Sequence, residues 1–253
     1  MRGLWFAAAL AIGWGVPLGV AAGSNRADVA LVLTIDVSGS IDDSHFKLQR
    51  EGIAGALESE EVAAALLNGV NQTIEIAVVE WAEEQRLLVP WTVLRGRGDL
   101  EALAGRLRSA GRSWLHTKTD PGGGIVAAEC LFADQPFVAA RQVIDVSGDG
   151  RQNTGEVATA DARDAAISHG LTVNGLPIAS RDEPGIVDWY RTNVVGGPGA
   201  FLVAADSYDA FAEAFQQKLR LEITGLAPSR KLTQESGNRQ WPDREWPDRQ
   251  MPE

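Results

Sequence analysis

Apolar positions along the chain follow two rhythms. Residues 31–35, Leu-Val-Leu-Thr-Ile, form an almost unbroken apolar run, and one this short predicts a strand buried on both faces, as in the middle of a parallel sheet. Residues 74–81, 141–147, 171–176 and 200–204 read as further strands. Between them the apolar spacing turns helical. Phe46, Ile53 and Leu57 mark one face after an acidic start at Asp42 and Asp43, which read as caps. Gln49 and Arg50 fall on or near that face, where a buried ion pair, a snorkelling side chain or a role in positioning a site would explain them. Residues 60–67, the repeat Leu100, Leu103, Ala104, Leu107 behind a capping Asp99, an Ala-rich segment carrying Cys130, residues 157–168 and 184–193, and a closing helix with Tyr208, Phe211, Ala212, Phe215 and Leu219 complete the set.

Only Ala82, Glu83 and Glu84 separate the strand ending at Trp81 from the next, residues 85–90, so the two must form an antiparallel hairpin. Elsewhere strand and helix alternate. The pattern predicts a doubly wound α/β fold: a mainly parallel central sheet with one antiparallel edge strand and helices on both faces.

The two ends of the chain have other compositions. Residues 1–22 carry Arg2, an apolar stretch over 4–20 and small residues at Val20, Ala21 and Ala22, as expected of a secretory signal cleaved near Ala22. The alternative is an uncleaved membrane anchor, but the stretch barely reaches the ~20 residues that span a bilayer and contains several glycines and a proline; cleavage would leave no stable anchor. From 227 to 253 the chain carries a five-residue repeat, Gln240-Trp-Pro-Asp-Arg, Glu245-Trp-Pro-Asp-Arg and Gln250-Met-Pro-Glu. Proline at every fifth position forbids regular helix, so this reads as a disordered tail. One domain, residues 27–224, lies between.

Formal charge is −11, and removing residues 1–22 takes away Arg2 and no acid, leaving about −12. Such a chain is a poor partner for nucleic acid or an anionic membrane. Cys130 is the sole cysteine, which excludes an internal disulfide, and its helical neighbours suggest a small buried apolar residue. Oligomeric state is not legible.

Candidate chemistry gathers where strands end. Asp36, Ser38 and Ser40 follow the first strand at every second residue, and ligands of open α/β sheets collect outside the carboxyl ends of strands. One carboxylate and two hydroxyls make a hard, all-oxygen set that suits magnesium, manganese or calcium better than zinc. This Asp-x-Ser-x-Ser resembles the first part of the metal-ion-dependent adhesion site of von Willebrand factor A domains. Thr119, with Gly122 and Ile125 at the following third positions, matches the second loop of that site, with Thr117 as competitor; Asp149 matches the aspartate of its Thr-Asp-Gly turn, with Gly148 in place of Thr. The phrases Ser38-Gly-Ser-Ile-Asp42, Gln49-Arg-Glu-Gly52 and Ile144-Asp-Val-Ser-Gly-Asp-Gly150 are also similar to an uncharacterised family of exported proteobacterial proteins with a von Willebrand A-like domain.

The resemblance implies a divalent cation held by Asp36, Ser38, Ser40, Thr119 and Asp149, with a coordination position left for an Asp or Glu of a partner protein. Asp145, Thr117 and Asp42 are candidates for supporting that shell, although Asp145, a carboxylate within a strand, could equally be satisfied by an Arg or a hydroxyl. The implied function is binding, in the periplasm or outside the cell. A periplasmic hydrolase or phosphotransferase using the same acidic site is the competing class, but the sequence has no nucleophile elbow, phosphate loop or His-Glu-x-x-His pair. His45, His116 and His169 are dispersed, and His116 alone falls near the site.

Overall fold

The structure, a computed structural model, describes residues 25–114, 117–181 and 183–226. The expected signal, the repeat tail and His116 lie outside the described residues. In chain order the elements are β1 (Arg26–Ala27), β2 (Val29–Asp36), α1 (Asp43–Glu58), α2 (Glu60–Leu67), β3 (Ile74–Trp81), β4 (Gln85–Leu94), α3 (Arg97–Ser109), α4 (Pro121–Leu131), β5 (Val138–Ala139), β6 (Gln142–Gly148), α5 (Thr159–Ser168), β7 (Thr172–Pro177), α6 (Ile186–Asn193) and α7 (Phe211–Thr224).

The five-stranded sheet has the order β4-β3-β2-β6-β7, with only the β3–β4 pair antiparallel. Every residue of β2 is buried, as its apolar run demands. Val29, Leu31, Leu33 and Ile35 face a core shared with Ile53 and Leu57 of α1, Leu66 of α2, Leu103 of α3 and Phe215 of α7. Val32 faces the other side, with Ile125 of α4, Ala162 of α5 and Tyr190 of α6. Helices therefore cover both faces, as doubly wound sheets require.

Several local readings are corrected. β4 continues through Pro90 to Leu94 because Pro90 sits at a register shift on the sheet's edge, where a missing N–H breaks no ladder. Asp99 lies inside α3, behind the cap Gly96, and its carboxylate reaches back to the Arg95 N–H at 2.8 Å. Residues 200–204 form no strand; they meet β7 through isolated bridges such as Gly175 with Leu202 and through the Phe201 N–H, which donates to Asn174 Oδ1. Cys130 is in α4 as expected but is exposed, on the side of the helix turned away from Ile125 and Ala128. Arg50 is paired with buried Glu80, whose second carboxylate oxygen accepts from Ser113. Arg50 on the odd polar face of α1 is thus half of an ion pair that also pins the segment after α3, while the buried Gln49 amide makes no hydrogen bond.

Both ends of the described chain lie where the parallel strands begin. β1 pairs with β5, and the Val138 N–H donates to Asn25 O at 3.0 Å. At the same pole Arg141 donates to the last carbonyls of α7, Glu222 O at 2.6 Å and Ile223 O at 2.9 Å. The opposite pole carries the strand ends and the loops of interest.

Candidate metal centre

β2 delivers Asp36 to the carboxyl end of the sheet, and the turn that follows folds back on it. The Ser38 N–H donates to Asp36 Oδ1 at 2.8 Å, while Ile41 N–H donates to Ser38 O at 3.1 Å. This tight return brings Ser38 and Ser40 Oγ to 3.3 Å from one another. Arg112, arriving after α3, braces the turn from outside by donating to Val37 O and Ser38 O at 2.9 and 2.7 Å.

The second loop is held by its neighbours on both sides. Asp120 caps α4 by accepting the Gly123 N–H, with Pro121 in the first helical turn, so α4 begins at Pro121 and takes in the glycine run 122–124. Thr119 is clamped by Asn153: its N–H donates to Asn153 Oδ1 at 2.9 Å, and Asn153 N–H donates to Thr119 O at 3.0 Å. The Thr119 hydroxyl then donates to Ser38 Oγ at 3.3 Å. Thr117 contributes its backbone instead, accepting the Gly39 N–H at 2.8 Å, and its hydroxyl makes no hydrogen bond.

The third loop leaves β6 with Asp149 buried. Ser40 Oγ donates to Asp149 Oδ1 at 2.6 Å and Tyr208 Oη to Asp149 Oδ2 at 2.8 Å. A continuous chain of contacts therefore joins Thr119, Ser38, Ser40 and Asp149, with Asp36 beneath them. Ser40 is exposed while Asp36 and Ser38 are enclosed, so the cluster opens to solvent at Ser40. The other candidates turn elsewhere. Asp145 is ion-paired with Lys218 at 2.5 Å, and Asp42 caps α1 by accepting from Ser44 and His45 N–H at 2.8 Å each.

Electrostatics set the character of the cluster. Burial, and then the charge of Asp149, push the Asp36 carboxyl up to about 8, against the opposing hydrogen bonds from Ser38. Asp36 Oδ2 has no hydrogen-bond partner. Burial and the neighbouring Asp149 likewise push the Tyr208 phenol far above its ordinary value. Among the described residues no three of His, Cys, Asp and Glu come together as a ligand set, so any cation here must rely on hydroxyls as well as the two carboxylates. The donor chemistry fits a hard cation: all oxygen, two of the donors carboxyl groups, and one oxygen of Asp36 still unsatisfied.

Four residues of this neighbourhood escaped the sequence reading. Tyr208 was absorbed into the periodicity of α7, although that helix starts only at Phe211. Arg112 and Asn153 act through backbone contacts that no spacing announces. Tyr190 packs under Asp36 from α6, and burial with the charges of Asp36 and Asp149 raises its phenol well above the usual range. A tyrosine four residues after Ile186, on the face of α6 that meets the core, was the one available signal.

Comparison with solved structures finds the same fold at low identity. Proximal thread matrix protein 1 from the mussel byssus, in a structure whose metal-ion-dependent adhesion site (MIDAS) motif is occupied by zinc, aligns at 14% identity and TM-score 0.55, over 79% of this chain and 48% of that one. A von Willebrand factor type A protein from Catenulispora acidiphila aligns at 20% identity and TM-score 0.51, over 78% and 43%. This chain thus spans about half the length, or less, of these two. The von Willebrand domain of the type V pili tip protein Mfa5 from Porphyromonas gingivalis aligns at 13% identity and TM-score 0.52, over 80% and 97%. No curated protein sequence matches significantly. Residues 26–227 match the model of a family described as protein of unknown function (DUF1194). With that match spanning most of its length, the chain belongs to this DUF1194 family, and its fold is that of von Willebrand factor A domains.

Proposed function

We propose that the protein is an exported binding domain in which Asp36, Ser38, Ser40, Thr119 and Asp149 hold a divalent cation, magnesium or else manganese or calcium, and that an acidic side chain of a partner protein completes the centre. The observation that carries this reading is the meeting of two buried carboxylates and three hydroxyls, from three separate loops, in one cluster that opens at Ser40. A bound cation would supply a Lewis-acidic point able to take an outside carboxylate. Three of the five donors are neutral, so the chain's own residues neutralise it only through Asp36 and Asp149. Tyr208 and Ser40 orient Asp149, Ser38 N–H orients Asp36, and the Asn153 clamp sets Thr119. The zinc-occupied motif of the mussel protein and the pilus-tip setting of Mfa5 favour the same class of function. Export through residues 1–22, with cleavage near Ala22 and the binding domain over 27–224, would place the centre in the periplasm or outside the cell.

The test is magnesium itself. A ligand that binds only the folded state at a hundredfold excess over its dissociation constant adds about 2.7 kcal/mol, worth about 5–10 °C in melting temperature for a domain of this size. Asp36→Ala should abolish that rise and still fold. Recovery of a partner from periplasmic extract should require magnesium and be lost with chelator. If neither magnesium nor manganese moves the wild-type melting curve, the proposal fails.

A further inference from the structure

Gly148 is where this chain departs from the Thr-Asp-Gly turn, and the structure supplies a reason. A Cβ placed on Gly148 would stand 2.7 Å from Asp36 Oδ2, 2.9 Å from Asp36 Cβ and 2.8 Å from Tyr190 Oη. No side chain fits there. The room is taken by the Tyr190 phenol, carried in from α6. A second glycine admits it: Gly175 of β7 is in register with Val146 of β6, and a Cβ on Gly175 would lie 3.1 Å from Tyr190 Cδ1. Positions 146 and 148 share a face of β6 by the alternation of a strand. The two glycines therefore make one slot, and the tyrosine ring passes along it to Asp36.

Tyr190 is fully enclosed, and neither its Oη nor Asp36 Oδ2 has a hydrogen-bond partner. Each buried polar atom left unpaired carries a cost, and these two approach the same face of Gly148. A phenol can donate and a carboxylate oxygen can accept, so the pair is chemically matched. The other oxygen of Asp36 is already held by Ser38 N–H. Tyr208, the second tyrosine near the cluster, is engaged with Asp149.

We infer that Tyr190 is a positioning residue for Asp36: when a cation is held, its hydroxyl turns to donate to Oδ2, a bond the structure itself does not contain, and fixes the rotation of the carboxylate beneath the cation centre. The inference rests on the reading that Asp36 belongs to such a centre. Groups that hydrogen-bond a ligating carboxylate fix its orientation, and losing one typically weakens metal binding about 10–100-fold.

The experiment compares magnesium binding by wild type and Tyr190→Phe, using the melting temperature along a magnesium titration together with NMR of protein labelled with carbon-13 at tyrosine Cζ. The chain has 2 tyrosines, so the resonance missing from the variant belongs to Tyr190. Expected are a magnesium midpoint raised about 10-fold or more in Tyr190→Phe, and a wild-type Tyr190 resonance that shifts as magnesium is added. An unchanged midpoint in the folded variant overturns the assignment while leaving the cation centre standing. A raised midpoint with a silent Tyr190 resonance points to packing and overturns it too. A wild-type protein indifferent to magnesium overturns the centre, and with it this role. Should the variant fail to fold, the wild-type resonance decides: a shift supports the inference and constancy overturns it.

Discussion

Removing the charge of Lys218 should cost the protein a large part of its stability. Lys218 is completely enclosed, and its ammonium lies 2.5 Å from Asp145 Oδ1 and 2.5 Å from Glu222 Oε1. Asn174 Nδ2 adds a hydrogen bond to the same Glu222 oxygen at 3.0 Å. Lys218→Met keeps an unbranched stem and deletes the cation, leaving two buried carboxylates together. Breaking a buried ion pair in this way costs about 3–5 kcal/mol, against a total of about 5–15 kcal/mol for an ordinary domain. Burial first, and the charge of Asp145 second, already push the Glu222 carboxyl up to about 7 with the lysine present. Without it the pair must take up a proton, so the cost should be smaller at pH 6 than at pH 8. Urea unfolding followed by circular dichroism measures both quantities. Adding Asp145→Asn and Glu222→Gln to Lys218→Met should restore part of the loss, because no charge is then left buried without its partner. A loss under about 1 kcal/mol that is also independent of pH would refute the electrostatic account.

Three further outcomes are expected. Glu222 binds its proton more tightly in the native state than in the unfolded chain, where the ordinary value is 4.5, so its contribution to stability falls as pH rises from about 4.5 to about 7. Glu222→Gln removes that slope, at most about 1.4 kcal/mol per pH unit, and a stability difference between variant and wild type that stays constant from pH 5 to pH 8 would contradict it. Asn153→Ala deprives the Thr119 N–H of its acceptor and should cost about 1 kcal/mol, together with weaker magnesium stabilisation in a thermal titration. Cys130 should react with a thiol reagent in the native protein, and Cys130→Ser should leave the unfolding midpoint within about 0.5 kcal/mol of wild type.

What could be read from the sequence was whatever depends on neighbours along the chain. The run at 31–35 declares a buried strand because no polar face interrupts it, and the Asp36, Ser38, Ser40 spacing survives in a turn of only a few residues. The short link before Gln85 left the hairpin no alternative geometry. What could not be read depends on distant partners. Lys218 looks like a polar interruption of an amphipathic helix until Asp145, 73 positions away by residue number, is set against it. Tyr190 and Gly148 likewise make sense only together, and α6 and β6 meet only once the sheet has formed. Cys130 was misread because the Ala-rich α4 offers little contrast between its faces, so periodicity could not say which side meets the core.

If the domain binds as proposed, the placement of the first and last described residues has a mechanical consequence. Whatever is joined before Asn25 or after Leu226 departs from the pole where β1 meets β5 and Arg141 meets α7. β2, 8 residues long and rising about 3.3 Å per residue, separates that pole from Asp36 by about 25 Å. A pull that enters near Asn25 and leaves through a ligand at Ser40 runs lengthwise along β2, between β3 and β6. Its ladder hydrogen bonds are then loaded together in shear instead of being peeled one after another, and the loops that would grip the ligand point away from the leash.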